Sequence, residues 1–201
     1  GDAAGNTVTA NGDLTLLGDG TNLITADTGE VTEVAVAANK NLNLGSAGAV
    51  SKGGTLDSKV SLGNGSALNA AAAEYTVGDI TAVADGNGTV TASAGATLTA
   101  GDIGDSTKNV GTVNATGGTV NSASIHTNTV TADGGQINAK TLTASGAVTV
   151  TDGVLIATGT GSDASSVGSL ALTNAQASVG DLSVGGAATV DSSSFQAGNL
   201  D

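Results

Sequence analysis

The chain has 201 residues, 32 of them glycine, with one tyrosine, one phenylalanine and no proline, cysteine, methionine or tryptophan. Five lysines and no arginine stand against 18 acidic residues, a net charge of −13; phosphate-rich partners, nucleic acid and anionic membrane alike, are excluded for want of counter-charge. Disulfides and cysteine-ligated metals are excluded too. The longest apolar run, Val34 to Ala38, is far short of the roughly 20 residues that a membrane-spanning helix needs.

A core without aromatics must be built from many small aliphatic contacts, which favours a thin repetitive core. Composition argues against disorder, because hydrophobic residues make up 39% of the chain and charged ones only 11%. The chain starts at Gly1 with no basic, apolar leader; a removed signal peptide or an excised fragment is the expectation.

In chain order, the aliphatic residues of the first third are Leu14, Leu23, Val34, Leu42, Val50, Val60 and Leu68, at steps of 8 to 11 residues. This spacing predicts long or interrupted coils over residues 1–85. Residues 86–201 are expected to be more regular. There Val113, Val120, Ile125, Val130, Ile137, Leu142, Val148 and Val154 return to the same position in every third step, 17 or 18 residues on. The C-terminal part repeats the pattern: Val167 to Val184, Leu172 to Val190, Val179 to Phe195 and Leu182 to Leu200 are separations of 16 to 18.

A three-step period of this kind is one turn of a three-sided coil. In Thr129-Val130-Thr131 the valine points inward and the threonines outward, as strand alternation requires. Asn87-Gly88, Gly117-Gly118, Asp133-Gly134-Gly135 and Asp152-Gly153 are the residue types that turn corners at positive φ. The predicted fold is a single all-β domain over residues 1–201, a three-sided parallel β-solenoid of about 17 residues per coil. That period gives roughly 12 coils and a rod near 57 Å long at about 4.8 Å per layer. The competing fold, a β-sandwich, expects alternation over five or more residues and an aromatic core, and both are missing.

Segments such as GDIGDSTKNVGTVNATGGTVNSASI and NGDLTLLGDGTNLITADTG resemble the β-helical passenger regions of bacterial autotransporters, including the rickettsial surface-layer type, and of filamentous-haemagglutinin-like adhesins. The likeness is one of style over nearly the whole chain, without a signature motif. It implies a secreted rod at the bacterial cell surface that displays adhesive loops or packs into a coat. An aromatic-rich autotransporter barrel and a two-partner secretion motif are not seen in the sequence.

Asp85-Gly86-Asn87-Gly88-Thr89 alternates oxygen donors like the opening of a calcium loop but lacks its closing glutamate. Asp102 and Asp105, like Asp19, lie in glycine-rich turns. Asp85, Asn87, Asp102 and Asp105 are therefore the metal candidates, with Ca²⁺ the one cofactor considered and solvated turn carboxylates the competing assignment. His126 is the only histidine; one step past Ile125 it should face outward, and no nucleophile elbow accompanies it. With three glutamates, Glu30, Glu33 and Glu74, and almost no sugar-stacking aromatics, a polysaccharide-active site is disfavoured. Ice binding by a Thr-x-Thr array is a remote alternative: the period lines up Thr97 and Thr99, Thr112 and Asn114, Thr129 and Thr131, and Ala147 and Thr149, with breaks in two of the four rungs.

The expected function is structural rather than enzymatic, an extracellular rod of a coat, filament or stalk that self-associates end to end or laterally. The alternative is an adhesin passenger that binds host-cell or matrix surfaces through loops near Gly45 to Lys59 and Ala70 to Tyr75. Tyr75 is then the aromatic contact candidate, against a partly buried edge residue.

Overall fold

The computed structural model describes residues 6–17, 31–45 and 52–201. Within them the regular structure is parallel β, apart from a single short 3₁₀ turn at Gly161–Asp163. The chain winds as a β-solenoid of about eight turns, and three ladders of strands form its faces.

The first face contains Asn6–Ala10, Val31–Val36, Lys59–Leu62, Ile80–Ala82 and Asp102–Ile103. The second contains Leu14–Leu16, Asn41–Leu44, Ala67–Ala70, Asn87–Ser93 and Val110–Thr116. Gly54–Leu56, Glu74–Val77 and Thr97–Thr99 begin the third. From Thr119 onward single long strands, Thr119–Asp133 and Gln136–Thr151, bend through the corners and serve all three faces.

Inward residues stack in register from turn to turn. On the first face Val34, Val60, Ile80, Ile103, Ile125 and Leu142 form one column. On the second, Leu42, Leu68, Val90, Val113, Val130, Val148 and Leu170 do the same. Tyr75, Leu98, Val120, Ile137 and Leu155 make the third. An alanine column accompanies the large one, as in Val113 with Ala115 and Val130 with Ala132, all essentially unexposed. Most strands thus send two side chains inward where one was expected, the second small in the middle turns and large at Leu44, Val150 and Leu172. Burying each large aliphatic is worth roughly 1.5–3 kcal/mol, and the sum accrues turn by turn.

The expected count of about 12 coils is corrected to about eight, which at about 4.8 Å per layer makes a stack on the order of 38 Å. A period of 17 or 18 holds where strands are continuous, as from Val113 to Val130 and Val130 to Val148. It is 22 between Ser124 and Asp102 and 28 between Asn41 and Asp13. Between Asp102 and Ser124 a corner loop accounts for the difference. Residues 104–109 form a loop between Ile103 and Val110, and residues 158–164 form another that contains the 3₁₀ turn.

The corner from second to third face is the most regular. Gly45, Ala72, Gly95, Gly117, Gly134, Asp152, Asn174 and Ser192 stack there, one per turn, at φ between 46° and 77°. Amides climb the column: Gly117 donates to Asp133 O, Gly134 to Thr151 O and Asp152 to Thr173 O, at 2.9–3.0 Å. Glycine, asparagine and aspartate were expected at such corners. Ala72 and Ser192 occupy the same backbone state at an intrinsic cost of about 1–2 kcal/mol each, which the ladder hydrogen bonds on either side must offset.

Candidate functional site

Ladder hydrogen bonding is interrupted at the corners, which leaves backbone N–H groups to be satisfied by side chains. Aspartates do this repeatedly. Asp13 Oδ1 accepts the amide of Asn41, Asp79 Oδ1 that of Asp102, and Asp85 Oδ1 that of Asn109, each at 2.9 Å and each from the next turn. Asp181 Oδ2 accepts from Gly161 at 2.7 Å. Ser165 and Ser193 serve the same purpose for Leu142 and Ala175. Much of the aspartate content thus pegs one turn to its neighbour, a role invisible without the register.

Of the four calcium candidates, Asp85 and Asp102 link neighbouring turns and Asp105 and Asn87 bond locally. Asp85 pegs Asn109. Asp102 opens a strand and accepts the Ser124 hydroxyl at 2.8 Å. Asp105 Oδ1 caps its own loop, accepting from the Thr107 amide and hydroxyl and the Lys108 amide at 2.6–2.9 Å. Asn87 is half-buried at the start of a strand, its amide bonded to Ala84 O. Among the described residues no three acidic, histidine or cysteine side chains converge as a metal cluster. Asp19 lies outside the described residues.

Hydrogen bonding lowers the Asp105 carboxyl below its usual range, the Thr107 hydroxyl first, then the Thr107 and Lys108 amides. Asp181 is lowered likewise, by the Gly161 amide first and then the Asn199 side chain. Both remain ionised well into acid.

The Asp105 loop stands over the first face and encloses an open depression of about 420 Å³ lined by Glu33, Lys59, Ser61, Thr81, Thr107 and Lys108. Inside it Glu33 pairs with Lys59 at 3.5 Å and accepts the Ser61 hydroxyl at 2.6 Å. The depression is polar, mixed in charge and already internally paired. His126, outward and half-buried on the same face, sits two turns further along, since Ile80 pairs with Ile103 and Ile103 with Ile125.

Tyr75 corrects the contact expectation. It is 1% exposed, packed in the core, and its hydroxyl donates to Ala71 O at 3.1 Å. Gly45 makes this possible, because a Cβ there would meet the Tyr75 hydroxyl and Ala71 O. The expected loop at Ala70 to Tyr75 is a tight corner between Ala67–Ala70 and Glu74–Val77. Of the other, Gly45 to Lys59, residues 46–51 lie outside the described residues, and the rest includes the strand Gly54–Leu56.

The threonine rungs are reassigned too. Thr97 and Thr99 belong to the third face, between Glu74 and Thr76 on one side and Thr119 and Asn121 on the other. Thr89 and Thr91 take their place beside Thr112 and Asn114 on the second face.

Among the described residues, both outermost rungs pair on one side only. Ala188–Asp191 bonds only to the strand at Leu170–Thr173, and Ser194–Leu200 only to Gln176–Leu182; Val190 and Leu200 are about half exposed, and Phe195 packs partly against the core. At the opposite edge Leu14–Leu16 pairs only with Leu42–Leu44. Compared with known protein families, characterised proteins and solved structures, the chain matches none.

Proposed function

We propose that this chain is a structural rod, a segment of an extracellular bacterial surface coat, filament or stalk, and that it assembles by end-to-end stacking. The observation that carries this reading is the inward columns, which stack in register through to the outermost described rungs. On the second face, Ala188 and Val190 head one end of the inward column, and Leu14 and Leu16 stand at the other. A second copy set down with Leu14 on Ala188 and Leu16 on Val190 would continue both the aliphatic columns and the parallel ladder, satisfying edge N–H and C=O groups that invite strand addition. Such a contact is heterologous and open-ended, so it builds filaments rather than closed rings. The activity is mechanical; no catalytic step is assigned to the Glu33–Lys59 depression or to His126.

Negative-stain microscopy and sedimentation velocity over a range of protein concentrations test this. Filaments that lengthen with concentration are expected, and a Val190→Lys variant with unchanged circular dichroism should remain as single rods. Monodisperse wild-type rods at high concentration would overturn stacking and leave the adhesin passenger, whose outward faces bind host-cell or matrix surfaces.

A further inference from the structure

The second face carries an outward surface unlike the other two. Its strands run in parallel register from Thr89–Ser93 through Val110–Thr116 to the second-face parts of the two long strands; the register shifts of the long strands fall at the preceding corner, between Thr127 and Val130 and between Ala144 and Ala147. Thr89 and Thr91, Thr112, Thr129 and Thr131, and Thr149 therefore form two straight rows over four successive rungs. Asn114 keeps a hydrogen-bonding amide in one row, and Ala147 removes a single hydroxyl from the other. Thr112 and Thr129 hydroxyls are already 3.1 Å apart along the rod.

Three features suit these rows to an ordered, uncharged surface. The valine and alanine columns directly beneath are at most 1% exposed, so the support is rigid. Threonine is stiff at χ1, which leaves little side-chain freedom to lose on contact. The chain carries a net charge of −13, yet the outward positions of these four rungs hold one charge, Asp133, beside the corner. The first face carries Lys59, Asp102 and Asp181 outward, and the third mixes Glu74 and Gln136 with Val154 and Ile156.

Strand geometry spaces the threonine backbone positions by about 4.8 Å along the rod and about 6.7 Å across it, a rectangular net close to the oxygen repeats on the prism planes of ordinary ice, within which side-chain rotation brings the Thr112 and Thr129 hydroxyls together. We propose that the Thr89–Thr149 surface of the second face binds ice, the hydroxyls joining the lattice while the methyl groups order water between the rows. This activity is independent of end-to-end stacking, which uses the rod's edges and leaves the face open.

The test is thermal hysteresis and ice-crystal shape in a nanolitre osmometer, at salt and protein concentrations where sedimentation shows single rods. The wild type is expected to facet ice and to open a hysteresis gap that grows with concentration. Thr131→Tyr, at the centre of the rows, should reduce the gap several-fold. Thr143→Tyr, outward on the first face beside His126, should leave it unchanged, with circular dichroism and melting temperature confirming that both variants fold. Rounded crystals with no gap from the wild type overturn the proposal, as does equal loss in the two variants. So does a Thr131→Tyr effect confined to lateral self-association or to adsorption on crystalline glycan.

Discussion

An aspartate that accepts backbone amides is held ionised more firmly in the folded chain than in the unfolded one, and this fixes the sign of the acid response. Asp105 and Asp181 are both lowered by such hydrogen bonds. Their stabilisation is complete above the unfolded carboxyl value, about 3.9, and is lost as pH falls through the lower folded values. Melting temperature is expected to be flat above about pH 5 and to drop below about pH 4. An Asp105→Asn, Asp181→Asn double variant, which keeps an acceptor oxygen but cannot titrate, should show a shallower drop; parallel curves would refute the assignment. Glycine offers a second contrast at this scale. Gly134 sits at φ 62° with open space where a Cβ would go, whereas at Gly45, φ 76°, a Cβ meets the Tyr75 hydroxyl and Ala71 O. Gly134→Ala should therefore cost only the backbone term, about 1–2 kcal/mol. Gly45→Ala should cost clearly more, as read from denaturation midpoints, because it also displaces the one tyrosine from the core.

At the scale of strands and corners, the period was legible wherever the inward residue is a large aliphatic. Val113, Val130 and Val148 pair as their spacing predicts, and so do Val167 with Val184 and Leu182 with Leu200. Even the loose first third was legible once steps are taken three at a time, since Leu14 pairs with Leu42 and Val34 with Val60. The spacing failed where two aliphatics are adjacent or the inward residue is small. Leu155, not Val154, stacks on Ile137, and Phe195 stacks on Ala177 rather than Val179. Corner length has no hydrophobic signature, so a uniform period of about 17 left out the extra residues of the loops at 104–109 and 158–164, and the coil count came out too high. The pegging aspartates were legible as turn residues but not as links, because their partners lie in the next turn. Depth in the stack has an energetic consequence. Ile125→Ala, with turns packed on both sides, should cost roughly 2–5 kcal/mol. Phe195→Ala, in a rung covered on one side, should cost less despite the larger side chain, and hydrogen exchange should be fastest in Ala188–Leu200. Equal costs at the two sites would contradict a stability that depends on stacking neighbours.

For the whole molecule, shape and charge oppose one another. The proposed stacking runs through aliphatic columns and ladder hydrogen bonds, while each rod carries a net charge of −13. None of the five lysines, Lys40, Lys52, Lys59, Lys108 and Lys140, belongs to the two rungs of the proposed contact, although Lys40 adjoins Asn41, whose amide Asp13 accepts. In that register Asp13 falls opposite Ala187 and Asp191 opposite Leu17, so the contact carries a carboxylate at each end of the paired strands, about 13 Å apart. Such repulsion reaches about 30 Å at 0.01 M salt and only about 8 Å at 0.15 M, so the filaments should be scarce at low salt and abundant near physiological ionic strength. Asp191→Asn should lower the salt needed, since it removes charge from the contact without touching the inward column. Sodium and potassium should act alike if screening is the whole effect. Calcium at matched ionic strength separates the remaining contribution: a further gain that Asp191→Asn abolishes places an ion at the Asp191 end of the junction, and a gain that only Asp85→Asn or Asp105→Asn abolishes returns calcium to the corner carboxylates. Assembly that weakens as sodium chloride is added would instead mean that attraction between charges, not continuation of the core, joins the rods, and the stacking geometry would have to be abandoned.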